Sequence, residues 1–375
     1  MYIVESEIQD EKGNIVSYKI KDFDKTFHVK LEYLSGFVKS KGEPSNAVYT
    51  GSVFVGTDCK IPVEKPDTIV FLKLDDDLWP DVSNAPLSQK EYGGASDGKY
   101  SITYNNKQWM VKFPKYAKDG SLSEFSHLSE HYGCKIISQC GIKAQETMLA
   151  QYEGKQCVLC QDFVSIGETL VEFDATGQGS TYEGEIPVPY SYDQILHLLY
   201  VNKRLVNTNE ALEFFWNLFI MDAFLGNFDR HGNNWGLIKS ADGEKYRIAP
   251  VYDCGSTLYP RINEEDCEKV LSDKSELYVR VFEYPYPPMM EGSRKLYYHE
   301  VIKSGKYDGC ASALIRMLEK INLKSVIATI SNSPYYSELR KHALSVLLII
   351  RYLCLLEEGD FDEAVAYCRK CGWLH

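Results

Sequence analysis

The run Gly226-Asn227-Phe228-Asp229-Arg230-His231-Gly232-Asn233-Asn234 decides how this 375-residue chain reads. Before it lies a strongly apolar stretch, residues 209–225, with Leu212, Phe215, Phe219 and Ala223 on one stripe at helical spacing. After it come two strand-like runs, residues 235–238 and 246–251, joined by the turn Ala241-Asp242-Gly243-Glu244. Tyr252-Asp253-Cys254-Gly255 follows the second run at once. Taken alone, the opening run is a polar turn, because Asp, Asn and Gly are common turn residues. The hairpin behind it changes that, since it returns the chain so that Asp253 can face the same point as Asn234. Phosphoryl transfer needs a carboxylate that orients the attacking hydroxyl, oxygen ligands for Mg²⁺, and a cation on the phosphates. Asp229 fits the first role. Asn234 and Asp253 fit the second, with the Asp-x₄-Asn spacing that protein kinases use. Mg²⁺ takes few protein oxygens beside those of phosphate, which suits one Asn and one Asp.

Upstream, a cation is expected and Lys112 is the candidate. Residues 92–99 form a glycine-rich turn, residues 100–104 alternate as a strand, Asn105-Asn106 makes a turn, and residues 108–113 form a second strand that carries Lys112. The loop holding Gly94, Ala95, Ser96, Gly98 and Lys99 can wrap phosphates with backbone N–H groups. It is not a Gly-x₄-Gly-Lys-Ser/Thr loop, because no Ser or Thr follows Lys99. A plain hairpin connection is the bland alternative. Residues 121–139 read as a helix from Leu122, Phe125, Leu128, Tyr132 and Ile136. Glu124 and Glu130 compete to pair with Lys112, and the deeper Glu130 is preferred. His231 is a brace for the loop or a phosphate contact. Arg230 binds phosphate or pairs with an acidic neighbour.

Composition narrows the function classes. The net charge is −12 and there is no Lys/Arg-rich run, which disfavours a nucleic-acid footprint. No apolar run reaches the roughly 18–20 residues that cross a bilayer; the stretch around 344–356 is broken by Arg351 and reads as a core helix. The 11 scattered Cys and an N-terminus without an apolar core lead to the expectation of a reduced, cytoplasmic protein. Cys157 and Cys160 invite a zinc reading, but positions i and i+3 of a strand point to opposite faces. Residues 1–85 read as β-rich, with strands at 15–20, 27–33, 47–55 and 68–74, and Asp75-Asp76-Asp77 as a solvated turn. Further strands fall at 147–152 and 156–164. Helices fall at 193–203, 311–321 and 334–358, the last with Ser333 as N-cap and Gly359 as C-cap. The run Tyr284-Pro285-Tyr286-Pro287-Pro288 is expected to be a stiff loop near the acceptor.

The expected architecture is α+β: a two-lobed, protein-kinase-like fold with a small β-rich N-lobe (86–164), a larger helical C-lobe (165–375) and an extra β-rich N-terminal segment (1–85). The cleft falls at about residues 160–168.

Several of these stretches resemble the HipA-like bacterial serine/threonine kinases. The catalytic loop Asn227 to Asn234 and the metal motif Tyr252-Asp253-Cys254-Gly255 carry the likeness. So do Ser129-Glu130-His131-Tyr132 running to Gly141-Ile142, which supports Glu130 over Glu124. Gly94 to Lys99 resembles that family's phosphate loop, and Leu159-Cys160-Gln161-Asp162-Phe163 its hinge, where adenine meets backbone at Gln161 and Phe163. The likeness covers residues 90–258 well, the C-terminal helices loosely and residues 1–85 not at all. Gln161 stands where an acidic residue is usual, and Cys254 where Phe is frequent. The resemblance implies Mg-ATP as cosubstrate, a Ser/Thr protein acceptor, phosphorylation of the loop at Ser96, and, by family analogy, toxin-like regulation with an antitoxin-like partner. Phosphatidylinositol kinases share the Asp-Arg-His-x-x-Asn core, so a lipid or small-molecule kinase is the alternative. A nucleotide-binding module without turnover is the alternative outside enzymes.

Overall fold

A computed structural model describes residues 79–88, 90, 100–116, 122–173, 191–201, 205, 207–287 and 289–374, with the strands Tyr2–Gln9, Ile15–Asp22 and Lys25–Lys30. The loop expected to cover the phosphates, with Gly94, Ala95, Ser96, Gly98 and Lys99, lies outside the described residues. So do the expected strands at 47–55 and 68–74 and the Asp75-Asp76-Asp77 turn. The three N-terminal strands (β1–β3) form an antiparallel sheet in sequence order.

The small lobe is a four-stranded sheet of β4 (Tyr100–Tyr104), β5 (Lys107–Lys112), β6 (Thr147–Tyr152) and β7 (Lys155–Gln161), in the order β4-β5-β7-β6. Strand alternation divides its side chains between two faces. Trp109, Val111, Cys157 and Leu159 bury one face with Val82. Val158 and Cys160 bury the other against α1 (Ser126–Gln139), the face on which β5 also places Lys112. Cys157 and Cys160 therefore sit in different cores, and the strand argument against a shared metal holds. Among the described residues, no group of three or more His, Cys, Asp or Glu is placed to hold a metal ion.

Helix α1 starts at Ser126, five residues later than its apolar spacing predicts. The chain before it is tied to other segments instead: Ser123 N–H bonds to Lys115 O (2.9 Å) and Phe125 N–H to Pro260 O (2.8 Å). Glu124 is thus not on the helix.

The large lobe is mainly helical. It holds β8 (Thr169–Glu172), α2 (Tyr192–Val201), α3 (Thr208–Leu225), β9 (Gly236–Lys239), β10 (Tyr246–Ile248), α4 (Glu264–Ser272), α5 (Lys274–Tyr278), α6 (Tyr298–Lys303), α7 (Asp308–Lys320), α8 (Leu323–Ser331), α9 (Glu338–Arg351) and α10 (Phe361–Lys370). β10, β9 and β8 form a small antiparallel sheet. Asn207 caps α3 by accepting the Glu210 N–H, and Gly226 ends it in the left-handed conformation (φ 69°) that glycine adopts without a Cβ penalty.

Helix α9 corrects one expectation. It begins at Glu338 with Ser337 as N-cap, and a π-helical turn, Tyr352–Leu356, follows it. Ser333 instead accepts the Tyr335 N–H locally (3.2 Å). The turn after Pro334 sets the Tyr335 ring on Trp79 and the Tyr336 ring on Tyr132. Gly359 lies beyond the π-helical turn, with its N–H on Leu353 O.

Candidate active site

The catalytic loop is built on a buried ion pair. Asp222 is buried on the last turn of α3 and pairs with Arg230 Nε at 3.0 Å. A buried charge is tolerated only when it is paired and hydrogen-bonded. Arg230 meets that condition by donating also to Asn234 O and Tyr252 O, both at 2.6 Å, and to Cys254 Sγ at 3.6 Å. One guanidinium therefore ties the helix, the catalytic loop and the metal motif together. Of the two roles open to Arg230, the structure selects the acidic neighbour. Burial pushes the Asp222 carboxyl up from its ordinary value, and Arg230 opposes that. Burial works against the Arg230 charge, but Asp222 and Cys254 together outweigh it and hold the guanidinium well above its ordinary value.

The loop is braced further from within. Asn227 donates to Asp222 through Nδ2 (2.8 Å) and accepts the Asp229 N–H through Oδ1 (2.9 Å). Tyr298, on α6, donates its hydroxyl to Asn227 O. His231 Nδ1 accepts the Asn233 N–H (3.2 Å), and its Nε2 lies 3.7 Å from Asp229 Oδ1. His231 thus braces the loop. Asn234 Nδ2 donates to Asp229 O (2.6 Å). A carbonyl can only accept, so the amide nitrogen must face it and Oδ1 must face away. Among the described residues, Asn234 Oδ1 has no hydrogen-bond partner.

Opposite the loop, Lys112 Nζ lies 3.4 Å from Glu130 Oε2 and 3.1 Å from Asp253 Oδ1. Burial works against the charged lysine, yet Asp253 and then Glu130 outweigh it, so the ammonium is held well above its ordinary value. The choice between the two glutamates is resolved: Glu130 is fully buried beside Lys112, whereas Glu124 accepts from Ser126 Oγ and pairs loosely with Arg261 at 3.7 Å. Asp253 has a left-handed backbone (φ 57°), a costly conformation for a non-glycine residue that concentrates at functional sites. Burial raises the Asp229 carboxyl above its ordinary value, with His231 opposing and Asp253 adding to the rise.

Lys112, Glu130, Asp229, Asp253, Lys115 and Arg261 all line one cleft of about 320 Å³. Two expected contacts look different. Gln161 uses its N–H on Glu146 O, its C=O on Gln145 Nε2 and its side chain on Lys107. The Gln161 N–H is thus already taken, and its C=O keeps one lone pair for a further donor. Phe163 packs its ring on Tyr252 (5.7 Å), and among the described residues its N–H has no partner. The Tyr284 run does not follow the metal motif directly, since α4 and α5 intervene. Its Tyr284 ring nevertheless stacks on Phe228, beside Asp229, at 5.9 Å.

Sequence reasoning passed over Asp222, Gly133 and Arg261. Asp222 had a signal, the one carboxylate in the apolar run 214–225 that ends the helix. Gly133 had none: a Cβ there would stand 2.6 Å from Thr257 Oγ1 and 2.8 Å from Cys254 Cβ, a closeness only the fold reveals.

The model of the HipA-like C-terminal domain matches residues 91–278. This chain belongs to the HipA-like family. It is 33% identical over 275 residues to the serine/threonine-protein kinase CtkA of Helicobacter pylori, spanning 69% of this chain and 81% of CtkA. The crystal structure of that proinflammatory kinase superposes with a TM-score of 0.68 at 30% identity, covering 77% of this chain and 98% of CtkA. A Shewanella oneidensis HipA, solved with HipB and operator DNA, gives a TM-score of 0.45 at 15% identity. The two-lobed kinase-like architecture expected from the sequence is the one found, and the chain is a phosphotransferase of the HipA-like type. Among the described residues, no helix is long and apolar enough to cross a membrane.

Proposed function

We propose that this HipA-like chain transfers the γ-phosphoryl group of ATP to a serine or threonine hydroxyl of a protein. The observation that carries this is the Lys112 ammonium, held by Glu130 and Asp253 across the cleft that Asp229 also lines. A positioned cation serves the non-transferred phosphates, and a carboxylate beside it serves the acceptor. Asp229 orients the acceptor hydroxyl and takes its proton. The hydroxyl oxygen bonds to the γ-phosphorus as the bond from that phosphorus to the bridging β-phosphate oxygen breaks, and ADP leaves with the electron pair.

The donor set fits Mg²⁺. Asn234 Oδ1 has no protein partner among the described residues, and Asp253 supplies a carboxylate. Two protein oxygens form no closed cage, which is the donor number Mg²⁺ accepts when phosphates complete its shell. When bound, the ion would neutralise charge on the phosphates. The unpaired Phe163 N–H, rather than that of Gln161, is the fitting adenine contact. Phosphorylation of Ser96, an antitoxin-like partner and a cytoplasmic location belong to the same proposal, supported by family likeness and by composition.

Incubation with Mg-ATP and a panel of protein, inositide and sugar acceptors, read by mass spectrometry, tests it. Phosphoserine or phosphothreonine on protein is the expected product. Transfer only to inositide or sugar, or no transfer at all, contradicts it.

A further inference from the structure

The mouth of the cleft carries a stack of planar groups that phosphate binding does not account for. The Phe228 ring adjoins Asp229 in sequence. On it lies the Tyr284 ring, 5.9 Å away and inclined by 24°, while the Arg261 guanidinium lies 5.0 Å from the same Phe228 ring. A guanidinium held over an aromatic ring face by cation–π attraction can keep N–H groups available for a planar anion. Arg261 is well placed for one. Its side chain is 63% exposed, and its tie to Glu124 is loose at 3.7 Å. The Phe125 N–H to Pro260 O bond and the buried Arg340, which donates to Tyr259 O and Ile262 O, fix the backbone on both sides of it. Its field reaches the catalytic carboxylate, because Arg261 is among the charges that lower Asp229, and it reaches Tyr284 as well. Lys115 lines the same cleft. Lys112, Lys115 and Arg261 face Glu124, Glu130, Asp229 and Asp253 in that lining, so Arg261 is an exposed cation set among carboxylates rather than part of a basic patch.

Lys112 is neutralised by Glu130 and Asp253 and belongs to the nucleotide side. Arg261 lies on the Phe228 side of Asp229, where an acceptor segment must pass to bring its hydroxyl to that carboxylate. We propose that Arg261, stacked on Phe228, is a specificity-determining residue that binds a carboxylate or phosphate on the acceptor polypeptide close to the phosphorylated Ser or Thr. The substrate class is an acidic, or already phosphorylated, peptide segment. This rests on the kinase function proposed above. The same guanidinium edge could take its anion from the acceptor or from the γ-phosphate of ATP, and the test separates the two.

Serine peptides differing only in one flanking residue, Glu, phosphoserine, Gln or Lys, are compared as substrates of the wild type, Arg261→Ala, Arg261→Lys and Arg261→Glu. A charge-assisted contact worth about 1.4 kcal/mol gives about a tenfold preference in kcat/KM for the Glu over the Gln peptide. That ratio falls to about one in Arg261→Ala, is partly retained in Arg261→Lys, and turns toward the Lys peptide in Arg261→Glu. Salt shrinks the wild-type preference. Equal wild-type rates on Glu and Gln peptides, with turnover intact, overturn the acceptor site and leave the kinase function standing. A loss in Arg261→Ala that is the same for every peptide and raises KM for ATP assigns Arg261 to the γ-phosphate and likewise overturns it. No phosphoryl transfer by the wild type to any peptide or to itself overturns both.

Discussion

In the proposed reaction three charged residues, Lys112, Glu130 and Asp229, set the chemistry, and each has its own signature. Glu130 holds Lys112 from one side and Asp253 from the other. In Glu130→Gln the ammonium follows Asp253 alone, away from the phosphates. Misplacement of a positioning group by about 1 Å costs about 10²-fold in rate, so kcat/KM should fall by about that factor, measured with saturating Mg²⁺. Lys112→Met should fall at least as far. Asp229 acts as a base only when ionised, and burial raises its pKa. The sign follows: protonation, and so loss of activity, begins at a higher pH than for a solvent-exposed carboxylate. The acid limb of the kcat/KM–pH profile should lie above that of a solvent-exposed aspartate, and a limb at or below it contradicts the placement of Asp229. Asp229, Asn234 and Asp253 were legible as candidates because their spacing brings them forward, and their roles belong to the proposal. Lys112 was legible only as a candidate, since a strand lysine between apolar neighbours faces solvent or a pocket equally well. Its direction came from the faces of β5. The hydrogen bonds that Gln161 makes with Glu146, Gln145 and Lys107 were not legible, because they come from positions distant in sequence.

Helix α1 is the element on which the site depends, since it carries Glu130 and packs on the metal motif. Gly133 lets it approach. Adding a methyl at Gly133→Ala forces a clash with Thr257 Oγ1 and Cys254 Cβ, which typically costs about 1–3 kcal/mol. A lowered Tm together with a lowered kcat is expected; an unchanged Tm would mean that α1 shifts freely. Two histidines on α1 make it acid-sensitive. Burial lowers His127 to about 4 and His131 to about 3. Their unfolded-state values are near 6.5, so the unfolded chain binds protons that the folded chain refuses. Stability from these groups is fully present above about pH 6.5 and is lost as pH falls from there toward 4 and 3. The slope is up to about 1.4 kcal/mol per pH unit for each histidine. Urea denaturation across pH 7 to 4 checks this, and replacing His131 by Gln should flatten the slope. The existence of α1 was legible from its periodicity. Its start was not, because the backbone bond of Phe125 to Pro260 is a tertiary contact that overrides the apolar spacing before Ser126.

At the scale of the whole molecule, the longest apolar stretch of the sequence became α9, and its two buried arginines organise the large lobe. Among the described residues, Arg351 has no carboxylate partner. It donates to Ala223 O (2.8 Å), Tyr259 OH (3.0 Å), Arg280 O (2.7 Å) and Val281 O (3.0 Å). It therefore neutralises the carbonyl end of α3 just before the catalytic loop, where a cation suits the helix dipole. Replacement by Met strands several buried acceptors, each costing about 1–3 kcal/mol, so Arg351→Met should be destabilised by about 3 kcal/mol or more. Urea unfolding measures it, and a change below 1 kcal/mol would show that those carbonyls find other donors. The two lobes and their order were readable because each strand and helix writes its own period into the chain. The joints were not, since Arg230, Arg340 and Arg351 bind carbonyl groups that carry no side-chain signal.

The most direct test of the central claim uses radiolabelled ATP with the wild type and Asp229→Ala under identical Mg²⁺, together with nucleotide binding by calorimetry. The account predicts label transferred to protein by the wild type, transfer lost by about 10²–10⁴-fold in Asp229→Ala, and ATP binding kept in both. Transfer retained in Asp229→Ala would remove that carboxylate from its role and contradict the account.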